Sequence, residues 1–258
     1  RKRYVCRAGG RPAGTHAATL HALQPTTREG PSRITAHIAL AMPPTIVWIH
    51  GLGDSGSGWA HLKTELRLPG VEYILPDAPN NPVTCNGGAR MASWMDLQKI
   101  PVARGDKNDL EGLKSSAAMI HRQIDVAVAK GTASADIVIG GFSQGGAMAL
   151  YAGYTYPQPL AGVVVFSGWA PLQAKDEAAF IGQVKAGANV NTPAFVAHGT
   201  QDEVVLPSCG ERAEACLKEA GVSDVCFSRF AMGHSTHPAQ MVALKSWLKD
   251  KLGLEGVR

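Results

Sequence analysis

The 258-residue chain lacks any apolar run approaching the roughly eighteen residues needed to cross a bilayer, so it reads as a soluble protein. It also lacks the footprint of a nucleic-acid binder. The net charge of +4 is concentrated in residues 1–42, which carry seven Lys/Arg against one acid, Glu29. The remainder holds 18 basic and 20 acidic residues and is close to neutral. Paired cysteine spacing is missing too. Cys6, Cys85, Cys209, Cys216 and Cys226 are odd in number, which suits a reducing compartment better than a disulfide framework. Cys209 and Cys216, seven apart on an expected helix, read as small apolar core residues. No internal repeat or low-complexity segment follows residue 42. What is present, 45% hydrophobic and 18% charged residues, is the balance of one globular domain of ordinary α/β size.

Residues 1–42 are Arg-, Ala- and Thr-rich and almost free of acids, with glycine and proline breaking any period. Such a segment resembles an organelle transit sequence, with a disordered leader as the alternative. The organisation expected is therefore a basic N-terminal segment over 1–42 and one folded domain over 43–258. The location expected is cytoplasmic, or an organelle if the leader is a transit sequence.

From residue 45 the chain alternates between strand and helix patterns. Strands are expected at Ile46–His50, Glu72–Leu75, Asp136–Gly140, Gly162–Phe166, Thr192–His198 and Val225–Phe230. Between them lie helical patterns, the longest from Asn108 to Lys130, where Leu110, Leu113, Ala117, Ile120, Ile124 and Val128 recur at three- and four-residue steps. Continuous Val/Ile strands between amphipathic helices argue an α/β fold with a mostly parallel central sheet and helices on both faces.

The chemistry-bearing motif is Gly141-Phe142-Ser143-Gln144-Gly145, set between a strand and a helix. A Gly-x-Ser-x-Gly turn in that context is a nucleophile elbow, in which strained backbone pushes the serine hydroxyl above the sheet edge. Its partners follow in the order such a fold demands. Asp202 leaves the end of the Thr192–His198 strand, and His234 lies in the loop after the Val225–Phe230 strand. Singly, a loop Asp is most often a helix cap and a loop His is usually just solvated. Three such residues on three strand ends, in this order, point to a Ser-His-Asp hydrolytic centre. His237, three residues further on, is a competing histidine.

One motif competes for a different chemistry. Gly51-Leu52-Gly53-Asp54-Ser55-Gly56 follows a strand and fits Gly-x-Gly-x-x-Gly, with Asp77 about twenty residues on, where a dinucleotide fold places its ribose-binding acid. A dehydrogenase has no need of the elbow, Asp202 or His234. A hydrolase, by contrast, needs such a loop to present a backbone N–H to an oxyanion.

These residues together resemble a known family. His50-Gly-Leu-Gly-Asp-Ser-Gly56, Pro76-Asp-Ala-Pro79, Pro82-Val-Thr84, Ser93-Trp-Met-Asp96, Gly140-Gly-Phe-Ser-Gln-Gly-Gly-Ala147, His198-Gly-Thr-Gln-Asp202 and Gly233-His-Ser235 are similar to the acyl-protein thioesterase and small carboxylesterase family of α/β-hydrolases, over about residues 44 to 252. The resemblance implies Ser143, Asp202 and His234 as catalytic triad, and the N–H groups of Leu52 and Gln144 as oxyanion hole. It implies that the loop from Asn80 to Ile100, with Pro82, Val83, Met91 and Trp94, borders the acyl site, although Met91 and Trp94 read equally well as core and Gly87-Gly88 as a turn. The implied reaction is S-deacylation (depalmitoylation) of proteins and/or carboxylester hydrolysis, on an acylated protein or a small ester, with lysophospholipid hydrolysis as an alternative in the class and a non-catalytic receptor on the same fold as an alternative outside it. No cofactor, metal or nucleic acid is implied, and at most transient contact with a membrane surface; oligomeric state is left open. Gly168-Trp169-Ala170-Pro171 departs from many relatives.

Deleting residues 1–40 should leave turnover of a soluble ester and the melting temperature unchanged, because the segment lacks apolar periodicity and the motifs all lie beyond it. Loss of either in the truncated protein would contradict this.

Overall fold

The computed structural model describes residues 42–254. Eight strands and six α-helices form: β1 Thr45–Ile49, α1 His61–Leu66, β2 Glu72–Ile74, β3 Asn80–Val83, β4 Ala89–Ala92, α2 Leu110–Ala129, β5 Ile137–Phe142, α3 Gln144–Thr155, β6 Gly162–Phe166, α4 Ala174–Ala186, β7 Ala194–Gly199, α5 Pro207–Glu219, β8 Val225–Phe230 and α6 Pro238–Lys251. Six strands make one parallel sheet in the order β2-β1-β5-β6-β7-β8. The chain thus steps outward from β1 to β2, returns to the other side of β1 with β5, and continues outward. That reversal opens a crevice at the carboxyl ends of β1 and β5, where α/β sheets place their sites.

Strand alternation divides the core in two. Val47, Ile49, Ile137, Ile139, Val163, Val165 and Val196 face one side, packed under α2, α3, α4 and α5. Ile46, Trp48, Val138, Val164, Phe166, Phe195 and Ala197 face the other, under α1 and α6. Each large side chain so buried contributes about 1.5–3 kcal/mol. Helix α3 is buried from Gln144 through Tyr154, because the sheet lies on one side and α2 and α4 on the other. Among the described residues no helix is long and apolar enough to cross a membrane. The expectation for residues 1–42 falls almost wholly outside the described residues.

One expected loop is largely structured. Residues 80–92 form an antiparallel hairpin, with Asn80 paired to Ala92 and Val83 to Ala89. Gly87 and Gly88 turn it at φ 65° and 80°, conformations that glycine adopts without cost. The two strands leave little trace in the sequence because Asn, Pro, Arg and Ala occupy six of their eight positions, and Val83 alone is a strong strand former.

Sheet and helix meet most closely where α3 begins. A Cβ added to Gly145 would fall onto the carbonyl oxygen of Ile49, at the end of β1. Gly145→Ala should therefore push α3 off the sheet, destabilising by about 1–3 kcal/mol as overpacked cores do. The expected readout is a melting temperature several degrees lower, and a curve within about 1 °C of the parent would refute the close approach.

Candidate active site

Ser143 connects β5 to α3 at φ 58° and ψ −122°, a backbone few non-glycine residues adopt and one costing of order 1–3 kcal/mol. The surroundings enforce it. Its N–H donates to Phe166 O at 2.8 Å, and its carbonyl accepts the first bond of α3, from Ala147 N at 3.1 Å. The hydroxyl is thereby held above the carboxyl end of the sheet. Here it meets His234, whose Nε2 lies 2.8 Å from Ser143 Oγ, while His234 Nδ1 lies 2.8 Å from Asp202 Oδ2. The Phe142 ring packs against the imidazole, centroids 4.8 Å apart.

Asp202 is buried at the end of β7, and both its oxygens are used. Oδ1 accepts the N–H groups of Val204 and Val205 at 2.9 and 2.8 Å, whereas Oδ2 faces His234 and, at 3.4 Å, His198 Nε2. Burial works against the charged form, but the donors on His198, His234 and Val205 outweigh it and hold the carboxyl well below the usual carboxylate range. The group therefore stays an anion at any pH near neutrality, as a partner for an imidazolium must. The competing His237 serves α6 instead. It caps that helix, its Nδ1 accepting from Ala239 N at 3.1 Å while Gln240 Oε1 accepts from His237 N.

The glycine-rich loop after β1 is braced rather than open to a dinucleotide. Asp77 Oδ1 accepts Gly56 N–H at 2.7 Å, so the carboxylate expected to meet a ribose is tied to the loop itself. His50, fully buried, donates from Nδ1 to Gly51 O at 2.7 Å and accepts Ala78 N–H at Nε2 at 3.0 Å, which gives both ring nitrogens a partner. Gly51 backs directly onto Ser143: a Cβ there would lie 3.4 Å from Ser143 Cβ. Leu52 N–H donates to no backbone carbonyl among the described residues. Gln144, first in α3, has an N–H without an intrahelical acceptor.

A cavity of about 220 Å³ opens beside Ser143 and His234, walled by Leu97, Ile100, Val102, Phe142, Trp169, Val204 and Val205 with Leu52 and Asp54. Pro82, Val83, Met91 and Trp94, expected at the acyl site, do not line it. Val83 and Trp94 are fully buried, and Pro82 lies exposed in β3. Only the end of that stretch reaches the cavity, through Leu97 and Ile100. Trp169 stands out in the sequence only as a departure from relatives; its place just after β6, at the same carboxyl edge as Ser143 and Asp202, is the usable signal. Among the described residues, no three His, Cys, Asp or Glu side chains converge as a metal-binding group.

A six-stranded parallel sheet with a serine elbow, an acid after β7 and a histidine after β8 defines an α/β-hydrolase. The phospholipase/carboxylesterase profile matches residues 35–252, and the chain belongs to that family of carboxylic-ester hydrolases. Among its relatives are carboxylesterase SOBER1 of Arabidopsis thaliana, 37% identical over 210 residues, covering 80% of this chain and 90% of that one. Acyl-protein thioesterase 1 of Neurospora crassa is 38% identical over 217 residues, covering 81% and 86%. Among solved structures, Arabidopsis thaliana SOBER1 superposes with a TM-score of 0.74 at 37% identity, over 81% of this chain and 98% of that one. Zea mays acyl-protein thioesterase 2 gives 0.72 at 33%, over 83% and 95%.

Asp202→Asn should lower kcat about 10⁴-fold at neutral pH, since the amide favours the wrong imidazole tautomer and leaves its charge uncompensated. The depressed folded pKa also sets a sign for stability. The contribution of the Asp202 anion is present above its unfolded value near pH 3.9 and is lost as pH falls below it toward the lower folded value. The gap in melting temperature between parent and variant should accordingly be wider at pH 6 than at pH 3. A gap that grows on acidification would contradict the assignment.

Proposed function

We propose that the protein hydrolyses acyl esters and thioesters by a covalent mechanism at Ser143, with deacylation of S-acylated proteins as its reaction in the cell. The hydrogen-bonded run from Ser143 Oγ through His234 to Asp202, at 2.8 Å in each step, carries this reading. In it, His234 Nε2 takes the hydroxyl proton as Oγ attacks the acyl carbonyl, and Asp202 holds the tautomer and balances the imidazolium. Leu52 and Gln144 N–H groups meet the oxyanion, each worth roughly 3 kcal/mol. The protonated His234 then gives its proton to the departing thiol or alcohol, and a water repeats the cycle to release the acid.

The apolar cavity receives the acyl chain. At about 220 Å³ it is smaller than the ~300–1,000 Å³ of drug-sized ligand sites, which favours short and medium acyl groups over a full palmitoyl chain. The names of the relatives support thioester and oxyester substrates alike. A receptor would not need a strained serine held by a buried acid and its histidine. A cytoplasmic location, or an organelle if residues 1–42 are a transit segment, belongs to the same reading, as does no more than transient membrane contact.

Ser143→Ala should retain the fold yet lose several orders of magnitude in ester turnover, together with covalent labelling by a fluorophosphonate probe. In the parent, kcat/KM should be higher for acetyl to octanoyl thioester peptides than for the palmitoyl peptide or a lysophospholipid. Labelling of the mutant at the parent rate would sink the nucleophile; preference for palmitoyl would sink the size argument.

A further inference from the structure

The stretch just after β4 was expected to be substrate wall, yet its central residue points into the protein and is tied on three sides. The Trp94 indole N–H donates to the His50 carbonyl at 2.8 Å. Its backbone N–H donates to Gln144 Oε1 at 2.8 Å, and its carbonyl accepts from Ser116 Oγ of α2. The ring lies against His50, centroids 5.1 Å apart. The Gln144 side chain is gripped from a second point, since its Nε2 donates to Met95 O at 2.7 Å. Two residues before Trp94, Ala92 O accepts the N–H of Gly53 at 2.8 Å.

These bonds end on the two segments that carry the proposed oxyanion donors. His50 and Gly53 bracket Leu52; Gln144 carries the other donor on its own backbone. The two donors come from separate elements, the loop after β1 and the first turn of α3, which touch at Gly145 and Gly51 but, among the described residues, share no hydrogen bond that fixes Leu52 relative to Gln144. Residues 92–95 bond to both. We infer that Trp94 is a positioning residue for the oxyanion hole, its indole N–H setting the Leu52 loop in register with Gln144. The inference rests on the hydrolase reading above. It makes a prediction opposite to that of a substrate wall: the indole acts on the charge that every acyl group develops at its carbonyl, and not on the length of the chain behind it.

Trp94→Phe keeps a ring in the core and removes the donor. A displaced donor loses oxyanion stabilisation that is expressed in the transition state and not in substrate binding. With active sites counted by burst titration, kcat should fall by about tenfold or more with KM within about twofold, and by the same factor for acetyl and octanoyl p-nitrophenyl esters. Affinity for a trifluoromethyl ketone, which forms a tetrahedral oxyanion on the serine, should weaken in proportion. If the phenylalanine variant does not fold, Trp94→β-(3-benzothienyl)alanine decides, because it keeps the shape of the indole without its N–H. A kcat within twofold of the parent, or a loss confined to the octanoyl ester, would overturn the inference. Activity persisting in Ser143→Ala would instead overturn the reading beneath it, and the two failures appear in different proteins.

Discussion

The site depends on one contact, the seating of the first turn of α3 against the carbonyl end of β1. Gly145 lies against the Ile49 and His50 carbonyls with no room for a methyl group, and this brings the serine turn to within van der Waals reach of the loop at Gly51. Strands β1 and β5 pair directly, Ile49 opposite Gly141, so both turns leave the sheet side by side. The proposed nucleophile and the proposed backbone donor, supplied by chain segments about ninety residues apart, are thus each anchored next to a regular element, Ser143 at the start of α3 and Leu52 in the loop after β1. The strain stored at Ser143 is tolerable for the same reason: hydrogen bonds to Phe166 and Ala147 over-determine its backbone.

The proposed acid is treated differently from the proposed nucleophile. Ser143 gains its position from backbone geometry, whereas Asp202 gains its charge from its neighbours: three N–H groups donate to the buried carboxylate, and His198 Nε2, bonded to Val205 O, lies 3.4 Å away. Burial alone would favour the neutral acid. The turn that follows β7 offers two of those donors from its own backbone, and His234 adds the third from the loop beyond β8. His234 is oriented by its bonds to Asp202 and Ser143 and by the Phe142 ring, tilted 42° against the imidazole.

Much of this is legible in the sequence, for reasons that differ by residue. The strands β1, β5 and β6 are readable because Val and Ile runs leave few alternatives, and Ser143, Asp202 and His234 because each follows a short apolar strand segment in the chain order of a hydrolase. Trp94 is easily misplaced because an apolar residue in a connecting segment has the same appearance whether it faces substrate or core. Only the bonds to His50 and Gln144 distinguish the two. The hairpin β3–β4 is silent in the sequence because pairing, not propensity, holds Asn80–Val83 and Ala89–Ala92 together. Asp77 fits a dinucleotide motif by spacing alone, and spacing does not record that its carboxylate is already occupied by Gly56.

Part of the cavity wall belongs to chain segments that the proposed reacting groups do not share. Leu97 and Ile100 follow the hairpin and Trp169 follows β6, both outside the turns that carry serine, acid and histidine. The wall at Leu97, Ile100 and Trp169 can therefore vary apart from the proposed bond-breaking groups, whereas the wall at Leu52, Phe142, Val204 and Val205 cannot. Substitutions that reshape the acyl site with least disturbance to the serine turn are thus those at the far wall, where the chain answers to no hydrogen bond of the Ser143–His234–Asp202 run.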